Sequence, residues 1–241
     1  MACPARCESP VATHACKREA SKQARVRVQE AKLVLIEAQP SASEGYEGHL
    51  DTLQEWVDAQ MTGADAAFTP RGLWFDRQRD AAEDRGWGRL SHAAHAAHVT
   101  MRVAAIVDAS AVTGADEWRI AWAHRARCFA LSQMQYIAGS GPASTGRSFV
   151  TSWGEKPPSR PRHRGAACRW EGGEPRCRGA AFLNATHTFP NVLPGALVSG
   201  PNGVDEFPDD HTNERTAYVA THYNAGLVSG ACSAAEVVCF C

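Results

Sequence analysis

Two short stretches concentrate the groups that could do chemistry. Arg160-Pro161-Arg162-His163-Arg164 supplies hydrogen-bond donors, and Glu206-Phe207-Pro208-Asp209-Asp210-His211 supplies carboxylates. Brought together, they could bind sugar hydroxyls or orient a water molecule. The plain alternative is a solvated, salt-bridged surface, which contributes little. Four aromatics, Trp74, Trp87, Trp153 and Tyr223, fall in or beside loop-forming segments. A flat aromatic face can stack on a pyranose ring through buried area and weak C–H contacts. The same residue types also fill cores. His92, His95 and His98 recur every three residues. On a helix they span about 120°, so two neighbours could share a metal ion. No cysteine or carboxylate completes such a set nearby, and a packed helix face is the simpler reading.

Helices must position these groups. Good helix formers from Ala20 to Ala38, followed by Pro40, predict a first helix. Leu50, Leu53, Trp56 and Val57 predict a second within Leu50 to Gln60. Longer helices are expected from Leu90 to Ala111 and from Asp116 to Ala138, the latter stopped by Gly139 and Gly141-Pro142. A last one is expected from Thr216 to Val228. Between Gly139 and Thr216 helical periodicity fades into Gly-, Pro- and Ser-rich loops. Long loops on a helical frame usually carry function.

At 241 residues, 44% hydrophobic and 21% charged, the chain fits a globular protein of one domain or slightly more. Its net charge of -1 argues against a nucleic-acid partner, which calls for a basic face. No apolar run is long enough to cross a bilayer, so no membrane partner is expected. The first twenty residues lack the apolar stretch of a secretory signal, so the chain is either not secreted as written or begins upstream. Nine cysteines leave one free, or paired outside the chain, in an oxidising compartment. Cys168 and Cys177 flank a short polar loop and could close it as a disulfide or remain two thiols. Asn184-Ala185-Thr186 is an N-glycosylation triplet, of use only on a secreted chain.

Several motifs, in order, resemble those of glycoside hydrolase family 9, the endoglucanases. Thr69-Pro70-Arg71-Gly72-Leu73, Trp87-Gly88-Arg89-Leu90 and Gln133 to Gly139 resemble successive turns and helix ends of that family. Ser148 to Gly154 with Arg160 to Arg164 resembles its first active-site signature. Phe189 to Pro201, Phe207-Pro208-Asp209-Asp210 and Tyr223-Asn224-Ala225-Gly226 resemble the stretches around its second. The resemblance spans about residues 45 to 230. It leaves 1–44 as an unassigned, partly helical segment and 231–241 as a Cys-containing tail. It implies an all-α fold, here an incomplete (α/α)6 barrel with long functional loops. It also implies an endo-1,4-β-glucanase role: inverting hydrolysis of cellulose by a carboxylate base and a carboxylic acid roughly 6.5–9.5 Å apart.

The chain departs from that pattern. The resemblance places the general acid, a glutamate, at Tyr218, whose hydroxyl is a poor proton donor with a reference pKa near ~10. Glu214, one turn earlier, is expected on the same helix but facing elsewhere. Arg162 stands where the family has histidine, and arginine differs from it in geometry and charge. The aspartate-rich motif that supplies the family's base is not found. Asp209 matches the family's aspartate. His163, Arg164, Tyr223, Trp74 and Trp87 are the expected substrate-binding residues. The expected partner is β-1,4-glucan, together with a second chain to cover an open half barrel. No cofactor is expected; calcium is admitted by the family but not supported by these residues. Secretion is the family expectation. The alternatives to a glucanase are a non-catalytic glucan-binding pseudo-enzyme and a truncated fragment.

Overall fold

The computed structural model describes residue 29 and residues 31–38, 45–63, 66–76, 87–110, 117–177 and 189–235. Cys3, Cys7, Cys16, most of residues 1–44, the Asn184 triplet, and Cys239 and Cys241 lie outside the described residues. Helix α1, residues 31–38, buries Leu33 and Ile36. Helix α2, Tyr46–Thr62, buries Tyr46, Leu50, Leu53, Val57 and Gln60, a stripe at helical spacing, and stops at Gly63 in the left-handed conformation. Each fully buried Leu or Val of that stripe stabilises by roughly 1.5–3 kcal/mol.

Helix α3, Arg89–Ala109, is the centre of the molecule. Its buried residues, among them Ala93, Ala94, Ala96, Ala97, Val99 and Val103, fall on more than one face, which suits a helix packed by several neighbours. Helix α4, Glu117–Ala138, and the last helix, α7, Thr221–Ala235, both pack extensively on α3. The approach of α7 depends on small residues. A Cβ on Gly226 would lie 2.5 Å from the His95 ring, and one on Gly230 would lie 2.7 Å from the Met134 sulfur. Two apolar clusters result. One joins α1 and α2 to Val99, Val103 and Val107 of α3 and Trp122 of α4. The other joins α3, α4 and α7 to the loop residues Phe149, Val150, Leu197 and Val198.

Among the described residues the strands form only two short antiparallel hairpins. Strands β1, Ala66–Phe68, and β2, Trp74–Asp76, pair with Ala67 opposite Phe75. Strands β3, Trp170–Glu171, and β4, Glu174–Pro175, pair with Trp170 opposite Pro175. Two helices are single turns: α5, Arg164–Ala167, and α6, Glu214–Ala217.

The final helix differs from its sequence-based expectation. The chain breaks between α6 and α7, with Tyr218 extended at φ -61 and ψ 142. Backbone pairing with distant loops draws residues 218–219 out of the helix, through bridges of Tyr218 to Arg162 and of Val219 to Val198. Glu214 and Tyr218 therefore do not share a helix, contrary to that expectation.

Candidate functional site

Four loop segments meet at the end of α3 and are held by their backbones. Val150 bridges Leu197, Val198 bridges Val219, and Arg162 bridges Tyr218. The Ser199 amide donates to the Tyr218 carbonyl at 2.8 Å, and the Arg162 amide donates to the Ala217 carbonyl at 2.7 Å. Ser199 also ties in the start of α3, because its hydroxyl accepts from the Gly88 amide at 2.5 Å. Asn224 clamps the 195–197 loop, accepting from the Leu197 amide at 3.0 Å and donating to the Gly195 carbonyl at 2.7 Å. Chain segments far apart in sequence thus put Trp87, Arg162, Tyr218 and Tyr223 in one place.

Tyr218 is the hub of an aromatic group. Its ring meets Trp87 edge-on at 5.6 Å and Tyr223 edge-on at 5.9 Å. Arg162, which pairs with Tyr218 through its backbone, sends its side chain elsewhere. Its guanidinium binds the Glu214 carboxylate and donates to the His211 carbonyl at 3.0 Å. Glu214 thus forms an ion pair with Arg162.

Asp209 braces two loops. Its carboxylate accepts from the Ser159 amide at 2.8 Å, the Ser159 hydroxyl at 2.6 Å and the Arg160 amide at 3.1 Å. Arg160 in turn approaches His211 Nδ1 at 3.2 Å, and the His211 side chain is fully buried. Asp210 folds back on Thr212, accepting from its amide at 2.9 Å and its hydroxyl at 2.8 Å. Those two bonds, with Arg160 and His211 adding to them, hold the Asp210 carboxyl below its ordinary pKa. A histidine following two aspartates gave no sign in the sequence that it would be buried at the crossing of these loops. The clamp formed by Asn224 was equally hidden, since its partners lie near residue 195.

The remaining candidates separate. His163 caps α5, its Nδ1 accepting from the Ala166 amide at 3.2 Å, and its side chain is exposed. Arg164 donates to the Cys177 carbonyl at 3.2 Å. Cys168 and Cys177 are joined as a disulfide, with Cα atoms 5.2 Å apart. Trp74 and Tyr223 are corrected: at 3% and 1% exposure they are core residues and offer no ring face to a sugar. Trp87 is half-buried, and Trp153, at 54% exposure, stands away from this cluster on an apolar groove of about 290 Å³ between α4 and α7. His95 and His98 take separate partners, the His222 carbonyl at 3.2 Å and the Ser233 hydroxyl at 3.1 Å. Among the described residues no group of three or more His, Cys, Asp or Glu is placed to hold a metal ion.

A helical frame whose long loops gather these signatures matches one family. The model of glycosyl hydrolase family 9 matches residues 13–231, and the chain belongs to that family. That match begins ahead of the recognisable motifs and takes in residues 13–44. Endoglucanase A of Bacillus pumilus is 32% identical over 161 residues, covering 66% of this chain and 20% of its own length. Endoglucanase 3 of rice, Oryza sativa subsp. japonica, is 29% identical over 86% of this chain and 40% of its own. Among solved structures, an endoglucanase from the termite Nasutitermes takasagoensis superposes with a TM-score of 0.64 at 31% identity, covering 88% of this chain and 40% of that one. The endoglucanase CelQ of Clostridium thermocellum, solved with cellobiose and cellotriose, gives 0.60 at 28% identity, over 87% of this chain and 30% of CelQ. The fold is that of the (α/α)6-barrel endoglucanases, of which this chain spans less than half the length.

Proposed function

We propose that this chain forms part of a β-1,4-glucan-binding wall of the family 9 type and does not itself hydrolyse the glucan. One observation carries the second half of that reading. Tyr218, which the motif resemblance assigns to the position of the family's acid, is flanked by Trp87 and Tyr223, while the Glu214 carboxylate is held by Arg162. A phenol with a reference pKa near ~10 stays protonated through the leaving-group step at neutral pH. Inversion requires a facing pair of carboxyl groups. Asp209 is engaged by three hydrogen bonds as a loop brace.

Binding is the reading that the relatives support. CelQ was solved with cellobiose and cellotriose. In this chain the half-buried Trp87 and the exposed His163 and Arg164 are the proposed contacts. A polymeric glucan substrate places the work outside the cell, in keeping with the Cys168–Cys177 disulfide. The apolar groove lined by Leu131, Met134, Trp153 and Leu227 supports association with a further chain, since such faces are usually covered.

The test is direct. Purified chain is mixed with carboxymethyl cellulose for reducing-end release and with cellohexaose for calorimetry. Binding without turnover is expected. Turnover that disappears in Asp209→Ala would overturn the loss of chemistry. Absence of both binding and turnover would overturn the glucan-binding reading in favour of a truncated fragment. Sedimentation of the same sample reads self-association.

A further inference from the structure

We infer that Trp170, with His163 beside it, is a stacking platform for one pyranose ring of the bound glucan, held in position by the Cys168–Cys177 disulfide. This inference rests on the glucan-binding reading and assigns it a subsite outside the Trp87–Tyr218 cluster. The indole is 54% exposed, unlike Trp74 and Trp122, at 3% and 5%, which belong to the core. Two other tryptophans are as open but differently placed. Arg119 lies over the ring of Trp118 at 5.2 Å, and Trp153 lines the α4–α7 groove.

Trp170 is also fixed. Its indole N–H donates to the Gly165 carbonyl at 2.9 Å, so its polar edge is satisfied while the residue stays 54% exposed. Its backbone pairs with β4, and the disulfide closes the hairpin behind it. Asn191 fastens the same turn, its Nδ2 donating to the carbonyls of Gly165 at 2.9 Å and Cys168 at 2.6 Å. A ring already immobilised loses little entropy when a ligand lands on it, which favours a platform over a mobile side chain.

The position is right for a glucan reaching the signature residues. Gly165 lies between two rings: a Cβ there would sit 3.0 Å from His163 Cε1 and 3.3 Å from Trp170 Cζ2. Gly165 follows Arg162, the bridge partner of Tyr218, by three residues. Their Cα atoms are therefore within about 11 Å, the reach of three virtual bonds. A β-linked glucose unit presents flat C–H faces with hydroxyls at its rim. The indole face fits the former, and the exposed Arg164 and Arg169 fit the latter.

The experiment is cellohexaose titration of the full chain by calorimetry, with indole N–H resonances followed by NMR and Trp170 assigned from Trp170→Phe. Expected results are a shift of the Trp170 resonance on titration and roughly three- to tenfold weaker binding in Trp170→Ala. Trp170→Phe should retain most of the affinity. The paired change Cys168→Ser and Cys177→Ser should weaken binding when Trp170 is present and add nothing to Trp170→Ala, a coupling that a general loss of stability would not produce. Cellohexaose binding that is equal in wild type and Trp170→Ala, with an unmoved Trp170 resonance, overturns the platform and leaves the glucan reading standing. Wild type that does not bind cellohexaose overturns both. If Trp170→Ala fails to fold, the wild-type resonance shift and the Trp170→Phe affinity decide.

Discussion

Replacing Gly88 by alanine tests how the start of α3 is joined to the aromatic group. Gly88 adopts φ 69 and ψ 25, the left-handed region, where an alanine costs about 1–2 kcal/mol. Its Cβ would also lie 2.8 Å from the Tyr223 hydroxyl oxygen and 3.2 Å from the carbon bearing it. Tyr223 is 1% exposed and bounded by Tyr218 and His222, so its ring has little room to withdraw. Overpacking of this kind costs typically about 1–3 kcal/mol. The smaller entropy of the unfolded alanine chain offsets about 0.4–1 kcal/mol of the total. The expected net loss is roughly 1.5–4 kcal/mol, or a Tm lowered by about 3–15 °C for a chain of this size. Gly203→Ala is the control, because its Cβ would meet only Arg89 Nη2 at 3.5 Å, an ordinary contact. Thermal and urea unfolding of both variants, alone and with Tyr223→Phe, give the answer. Removing the hydroxyl relieves the clash but not the backbone strain, so Gly88→Ala and Tyr223→Phe should be less than additive by about 1 kcal/mol. Equal stability of Gly88→Ala and Gly203→Ala, or strict additivity with Tyr223→Phe, would refute this account.

The remaining predictions concern single contacts. Asp209→Ala leaves the Ser159 amide, the Ser159 hydroxyl and the Arg160 amide without their acceptor. Urea unfolding should report a loss of about 1–3 kcal/mol, with Asp209→Asn intermediate. The Asp210 carboxyl is held below its ordinary value of 3.8 by Thr212. Because the folded state favours the carboxylate, its contribution is complete above that value and lost as pH falls below it. Asp210→Asn should flatten this acid limb in stability measured against pH. The Tyr136 phenol is pushed far above its ordinary value of 10.0 by burial and by its hydrogen bond to Asp205. The unfolded chain can release this proton above pH 10 and the folded chain cannot, so stability should fall in strong alkali. Phenolate absorbance should show one tyrosine ionising only as the chain unfolds, and Tyr136→Phe should remove that step.

The contrast between the helices and the loops shows what a sequence can disclose. The start and end of α3 and α4 were legible to within a residue or two, because periodicity and the Gly139 stop are local properties. The last helix was misread for two non-local reasons. Residues 218–219 leave the helix because Arg162 and Val198 pair with them from far along the chain. The helix then runs on to Ala235 through Gly230, a residue that reads as a terminator. Its real service is the close contact with Met134 and the Ala94 carbonyl, where a Cβ would lie within 2.7 and 3.2 Å. The site divides in the same way. Motif order singled out Arg162, Asp209 and Tyr218 as candidates, but the aromatic character of Trp74 and Tyr223 could not say that both are buried. That depends on the tertiary cluster of helix and loop residues into which both are packed. Trp170 is the converse case: its sequence neighbours are a polar loop between two cysteines, and only folding shows an indole anchored by its N–H in a residue that stays 54% exposed. Exposure of an aromatic is a property of tertiary packing, and it separates a candidate sugar platform from a core residue of the same type.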